Sequence, residues 1–125
     1  MVLILGRPAV KDHATRAREP GEVVDPGNAG VIAPVTDCYV LLKTVMAETR
    51  TLSDPIYDGQ TLDLFFETDF GDCVITASSA INQTGNNTLT FADAGDHIFL
   101  IGGRDGAGDY EWRAVANDGV ALSTV

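Results

Sequence analysis

No stretch of this chain approaches the roughly 18 consecutive apolar residues that a membrane-spanning helix needs. The opening run Val2-Leu3-Ile4-Leu5 is too short for the apolar core of a secretory leader, and no small-residue cleavage pattern follows it. The expectation is a protein made and kept in a cytoplasm, with no membrane partner. Cysteine is almost absent: Cys38 and Cys73 are the only thiols, each inside a strand-like apolar run. Buried free thiols acting as small hydrophobes suit that setting, and a disulfide would require the two strands to be neighbours. With no histidine close by, the pair does not form a zinc site. Basic residues are scarce too, eight Lys and Arg against 18 Asp and Glu, for a net charge of −10. An acidic body repels phosphate backbones, which excludes general nucleic-acid binding by the folded part.

Catalytic signatures are equally thin. There is no Gly-x-Ser-x-Gly elbow, phosphate-binding loop or His-Glu-x-x-His run. Ser78, Ser79 and Ser123 stand in no nucleophile context. His13 and His97 are the only histidines. His97 follows Asp96 directly, but adjacent strand residues point to opposite faces, so these two do not make a pair. The chain is therefore expected not to be an enzyme and to hold no metal or cofactor. Gly102 to Tyr110, GGRDGAGDY, superficially matches a calcium-binding glycine repeat. Its glycines are out of phase, and that motif works only in tandem copies, so a hairpin loop explains it. Asn82-Gln83-Thr84 and Asn86-Asn87-Thr88 match the glycosylation acceptor pattern; without a secretory leader they read as turns.

What the chain does have is β periodicity and a lopsided charge. With 125 residues it fits a single domain. Residues 1 to 29 read as an extended N-terminal arm, because Gly6, Pro8, Pro20, Gly21, Pro26 and Gly27 interrupt helix and sheet alike. Residues 1 to 18 carry Arg7, Lys11, Arg16 and Arg18 against Asp12 alone, about +3, which leaves −13 on the rest. A basic leader on an acidic body suggests docking onto an acidic surface. From residue 30 to 125, short apolar runs recur with turn signals about every ten residues. The runs are Gly30–Pro34, Cys38–Val45, Glu48–Leu52, Thr61–Glu67, Asp72–Ser78, Thr88–Ala92, His97–Ile101, Tyr110–Ala116 and Val120–Thr124. This predicts an all-β domain, an antiparallel β-sandwich or small barrel of jelly-roll-like type.

Alternation assigns faces. Leu62, Leu64 and Phe66 share one side of their run, while Asp63, Phe65 and Glu67 share the other. Phe65 thus sets a large apolar ring between two acids on the outer side, which marks it as a candidate subunit contact. Tyr110, Trp112, Ala114 and Ala116 likewise oppose Glu111, Arg113 and Val115. Leu89, Phe91, Ile98, Leu100 and Trp112 are the expected core. In TLTFADAGDHIFLIG the polar break Asp93-Ala94-Gly95-Asp96 separates two apolar runs and reads as a hairpin turn.

The segment Asn87 to Leu122 resembles the terminal hairpins of small bacteriophage structural domains, found in head decoration (cement) proteins and in tail knobs. The matching features are the strand Thr88 to Phe91, the turn Ala94 to Asp96, a strand ending Leu100-Ile101, a Gly-rich loop and a strand centred on Trp112. Upstream, Thr49 to Leu52 leads into a Pro55, Asp58-Gly59-Gln60 turn of similar form. The resemblance spans residues 30 to 125. It implies a virion structural protein on the capsid exterior, acting as a homotrimer bound to the major capsid protein. The arm would then be the clamp, with Arg7, Lys11, Arg16 and Arg18 on acidic capsid surface and Val2, Leu3, Ile4 and Leu5 adding as an edge strand to a neighbour. A tail-fibre receptor-binding domain is the alternative within the same resemblance. A β-sandwich hydrolase or calcium-dependent lectin is a third class.

Overall fold

The computed structural model describes residues 21–125. They contain ten strands and no helix: β1 (Gly21–Glu22), β2 (Gly30–Ile32), β3 (Cys38–Lys43), β4 (Glu48–Leu52), β5 (Thr61–Thr68), β6 (Cys73–Ala77), β7 (Thr88–Phe91), β8 (His97–Arg104), β9 (Tyr110–Asp118) and β10 (Ala121–Ser123). Nine of these coincide with the runs expected from alternation; the short β1 is the addition. The strands form two five-stranded sheets, sheet A in the order β1-β3-β5-β8-β9 and sheet B in the order β10-β7-β6-β4-β2. One apolar core lies between them, so the molecule is a β-sandwich.

The winding departs from the antiparallel, jelly-roll-like order that the sequence suggested. The sheets are mixed: β1 with β3, β3 with β5, β2 with β4 and β4 with β6 all pair in parallel. Parallel neighbours need a crossover between them, and here the crossover is a strand of the opposite sheet. The first six strands alternate between sheets, so the chain coils around the core and lays each strand beside the one two before it. Only then does the coil reverse, with β7 antiparallel to β6, β8 to β5, β9 to β8 and β10 to β7. Alternating hydrophobicity looks alike in either topology, which is why periodicity did not reveal the parallel half.

Asp93 to Asp96 is a second correction. It does not close a hairpin, because β7 lies in sheet B and β8 in sheet A. It is a corner that turns the chain across the sandwich, and it is held by the end of β5: Gly95 N–H donates to Phe66 O (2.8 Å) and Phe66 N–H donates to Asp96 O (2.9 Å). The Asp96 carboxylate caps the corner by accepting from Ala92 and Asp93 N–H. Gly95, at φ 96°, supplies the left-handed residue that the corner requires.

Leu89, Phe91, Ile98, Leu100 and Trp112 are all buried, as expected. The Trp112 indole N–H donates to Ser53 O at 2.8 Å, bonding sheet A to the end of β4 in sheet B. Ala116 departs from the expected face. A bulge places Val115 between Ala114, opposite Leu100, and Ala116, opposite Phe99. The extra residue shifts the phase of the strand, so Ala116 turns to solvent while Ala114 packs on the core.

Buried polar groups tie the coil together. Gln60 is fully buried; its amide N–H₂ donates to Pro34 O and Thr36 O, and its Oε1 accepts from Ile56 N–H. The Pro55 to Gln60 turn thereby fastens successive windings, with Pro55 seated against Gly102. At the opposite end Thr44 Oγ1 donates to Gly71 O at 2.6 Å and accepts from Phe70 N–H at 3.1 Å. All these groups find partners, which is what burial demands of them.

Candidate functional site

Residues 21 to 29, assigned to the arm from their proline and glycine content, are held to the body. β1 pairs with β3, and Val23 N–H donates to Tyr39 O at 2.8 Å. Asp25 then reaches into the sandwich end and forms a bidentate pair with Arg50, at 2.6 Å to Nε and 2.8 Å to Nη2. Glu48 Oε1 accepts from the same Nη2 at 3.0 Å, and Lys43 O accepts from it as well. The Arg50 side chain is fully buried, and Asp25 and Glu48 nearly so.

Burial opposes ionisation of Asp25, but the Arg50 guanidinium and the Lys43 and Gly27 N–H groups outweigh it, and its acidity is increased overall. Glu48 is also held below its ordinary value, first by the Val45 N–H and then, against burial, by Arg50. Burial disfavours the Arg50 cation; the Asp25 hydrogen bonds reverse that and keep it charged. Two carboxylates around one guanidinium make an ionic knot at the point where the leader joins the body. Glu48, Arg50 and Leu52 share the buried parity of β4, so a buried arginine was legible in the sequence; its partner 25 positions away was not.

The solvent face of sheet A is the second feature. Across it run the rows Tyr39–Asp63–Phe99–Ala116 and Leu41–Phe65–His97–Asp118. Phe65, the candidate subunit contact, lies here at 40% exposure, its ring centroid 6.0 Å from that of His97. Ile101, at 38%, is on the same face opposite Arg113. His97 Nε2 lies 2.6 Å from Asp63 Oδ1. The register that makes this neighbour diagonal cannot be read from one strand alone.

A third feature is the corner end of the sandwich. Val24, Val45, Met46 and Phe70 are exposed there on loops that follow β1, β3 and β5. The backbone is tightly stacked at this end: a Cβ on Gly71, at φ 155°, would meet the Met46 carbonyl carbon at 2.2 Å. Apolar tips on rigid loops can dock without first being ordered.

The remaining sequence candidates, Val2, Leu3, Ile4, Leu5, Arg7, Lys11, Arg16 and Arg18, lie outside the described residues. Cys38 and Cys73 are buried free thiols in opposite sheets, both pushed up to about 11, chiefly by burial. The Gly-rich loop is a hairpin turn in which Asp105 caps Ala107 and Asp109 N–H. Asn82 similarly caps its own turn through Gly85 and Asn86 N–H. Among the described residues no group of three or more His, Cys, Asp or Glu could hold a metal ion, and no helix is long and apolar enough to cross a membrane. No protein-family model matches this chain, and no curated protein matches it.

Proposed function

We propose that this chain is a virion structural protein that decorates and stabilises a bacteriophage capsid by binding the outside of the head lattice. The observation that carries the reading is the charge split across the point where the leader meets the body. Residues 21–125 keep four Lys and Arg against sixteen acids, a net charge of −12, while Arg7, Lys11, Arg16 and Arg18 all precede them. The buried Asp25–Arg50 pair fixes the root of the leader to the sandwich, so a load taken by the leader passes into a rigid body. In this role the extended arm, Val2 to Leu5 included, is the clamp on the major capsid protein, and many copies on one lattice supply avidity. The polar side chains in the interior serve packing, which suits a protein that works by shape.

The test is deletion of residues 1–18. The shortened chain should fold as the full one does, by its melting curve, yet no longer cosediment with undecorated heads. Normal decoration by the shortened chain would refute the clamp. A tail-fibre receptor-binding module is the second reading, favoured by the aromatic residues on the solvent face of sheet A. Electron microscopy of the particle separates the two, because it shows the chain on the head or on the tail.

A further inference from the structure

We infer that Asp105 is a site of spontaneous modification, where the backbone nitrogen of Gly106 closes on the Asp105 carboxyl and the chain reopens as isoaspartate. The inference stands on the β8–β9 loop and not on the virion reading. Closure of this kind is easiest where the next residue has no side chain to crowd the ring, and the sequence offers three such pairs: Asp58-Gly59, Asp105-Gly106 and Asp118-Gly119. The structure separates them. At Asp58 both reacting groups are held: Gly59 N–H donates to Gly102 O at 2.8 Å, and Arg104 Nη2 pairs with the carboxylate at 3.0 Å. At Asp118 the peptide is clamped from both sides. The Asn117 side chain accepts from Val120 N–H and donates to Val120 O, while Asp118 itself is in register with His97 in the sheet. The Asp96 carboxylate packs on Gly119 and further restrains that turn.

The Asp105 loop lacks these outside restraints. Residues 104 to 109 are all exposed, and a Cβ on Gly106 would meet nothing within 4 Å. The bonds from Asp105 N–H to Asp109 O and from Gly108 N–H to Asp105 O are internal to the loop, and Gly106 N–H has no acceptor among the described residues. Asp105 Oδ1 accepts from Ala107 N–H at 2.8 Å and from Asp109 N–H at 3.0 Å, so the carboxyl is folded over the Gly106 peptide rather than extended into solvent. The same two N–H groups stand where negative charge develops on Oδ1 as the nitrogen adds to Cγ. In the first step the Gly106 nitrogen bonds to Cγ of the protonated carboxyl, its proton passes to solvent, and the Cγ hydroxyl leaves as water. The product is a five-membered succinimide. Water then adds to one of its two carbonyls. Opening at Cγ restores aspartate; opening at the main-chain carbonyl leaves the chain running through Cβ and Cγ, one methylene longer, with a free α-carboxylate. Water is the only co-reactant. In the isoaspartyl form the carbonyl that capped Ala107 and Asp109 has become backbone, so the loop closing the β8–β9 hairpin has to rearrange.

Peptide mapping by mass spectrometry on the full chain, after prolonged incubation in buffer and against synthetic isoaspartyl standards, tests this. Cleavage after Arg104 and Arg113 isolates residues 105–113. Isoaspartate should accumulate at Asp105 about tenfold or more faster than at Asp58 or Asp118, because at those two a hydrogen bond or a clamped turn must open first. A succinimide peptide, lighter by one water, should precede it. In denaturant the three sites should react at similar rates, since only the Asp-Gly sequence then remains. Asp105→Glu should all but end the reaction, its ring being one atom larger, and Gly106→Ala should slow it. Both changes lie in an exposed loop, and melting curves matching the parent would show that the variants fold. Three sites reacting equally in the native chain, a faster reaction at Asp58 or Asp118, or a native Asp105 that stays intact while the denatured chain isomerises would each overturn the inference.

Discussion

Replacing Asp25 by Ala removes the bidentate partner of a fully buried guanidinium and leaves Arg50 with Glu48 as its only neighbouring acid among the described residues. The hydrogen bonds lost are charge-assisted and short, and Arg50 Nη1 has no partner among the described residues. The cation cannot escape by losing its proton, nor swing to water without opening the end of β4. Breaking a buried ion pair from one side costs about 3–5 kcal/mol. For a domain of this size each kcal/mol moves the melting temperature by roughly 4 °C, so a fall of about 12–20 °C is expected. Thermal unfolding followed by circular dichroism measures it directly. The acid limb offers a second readout. Unfolded carboxylates take up protons near pH 4, whereas Asp25 and Glu48 hold out to lower pH when folded. In that window the unfolded chain binds more protons, so the stability these two groups confer is present above it and disappears as pH falls through their folded values. Asp25→Ala should flatten part of this acid dependence. Replacing Asp25, Glu48 and Arg50 together by apolar residues of similar volume should recover much of the loss, since no charge is then stranded. A melting temperature for Asp25→Ala within a few degrees of the parent would refute the reasoning, by showing that water already reaches the guanidinium.

Two further predictions concern a tight turn and the interior. Gly119 sits at φ 90°, and a Cβ there would meet Asp96 Oδ1 at 2.2 Å. Gly119→Ala should therefore cost about 2–3 kcal/mol in urea unfolding, against about 1 kcal/mol for Gly108→Ala, where only the positive φ is at stake. Cys38 and Cys73, pushed up to about 11 by burial, should resist a thiol reagent at pH 8 in the native protein and react at once in denaturant. Native-state labelling as fast as that of the denatured chain would contradict their burial.

Particular elements show how far alternation reaches. Along β5 the order of Leu62, Asp63, Leu64, Phe65 and Phe66 assigned inside and outside correctly, because each strand is half-buried and the pleat has a period of two. Along β9 the same rule held through Trp112 and failed at Ala116, where one bulged residue reversed the phase. The buried arginine of β4 could be suspected from its parity with Leu52. Its ion-pair partner sat in a segment that proline and glycine made look detached. Phe65 stood out as an apolar ring among acids, yet only the register of four strands shows that Leu41, Phe99 and Ile101 extend it into a face.

The residue pattern by itself settled that this protein is all-β, which side chains form its core, and that its positive charge is concentrated at the start of the chain. These follow from local periodicity and composition, which act within a strand or along a short segment. The tertiary structure decided the parallel coiling of the first six strands, the turning of Asp93–Asp96 from hairpin into corner, and the meeting of Asp25 with Arg50. Those depend on which strand lies beside which. Pairing energy is shared by backbone groups common to every residue, so the choice of neighbour is made by the packing of the whole core and leaves little trace in any one stretch.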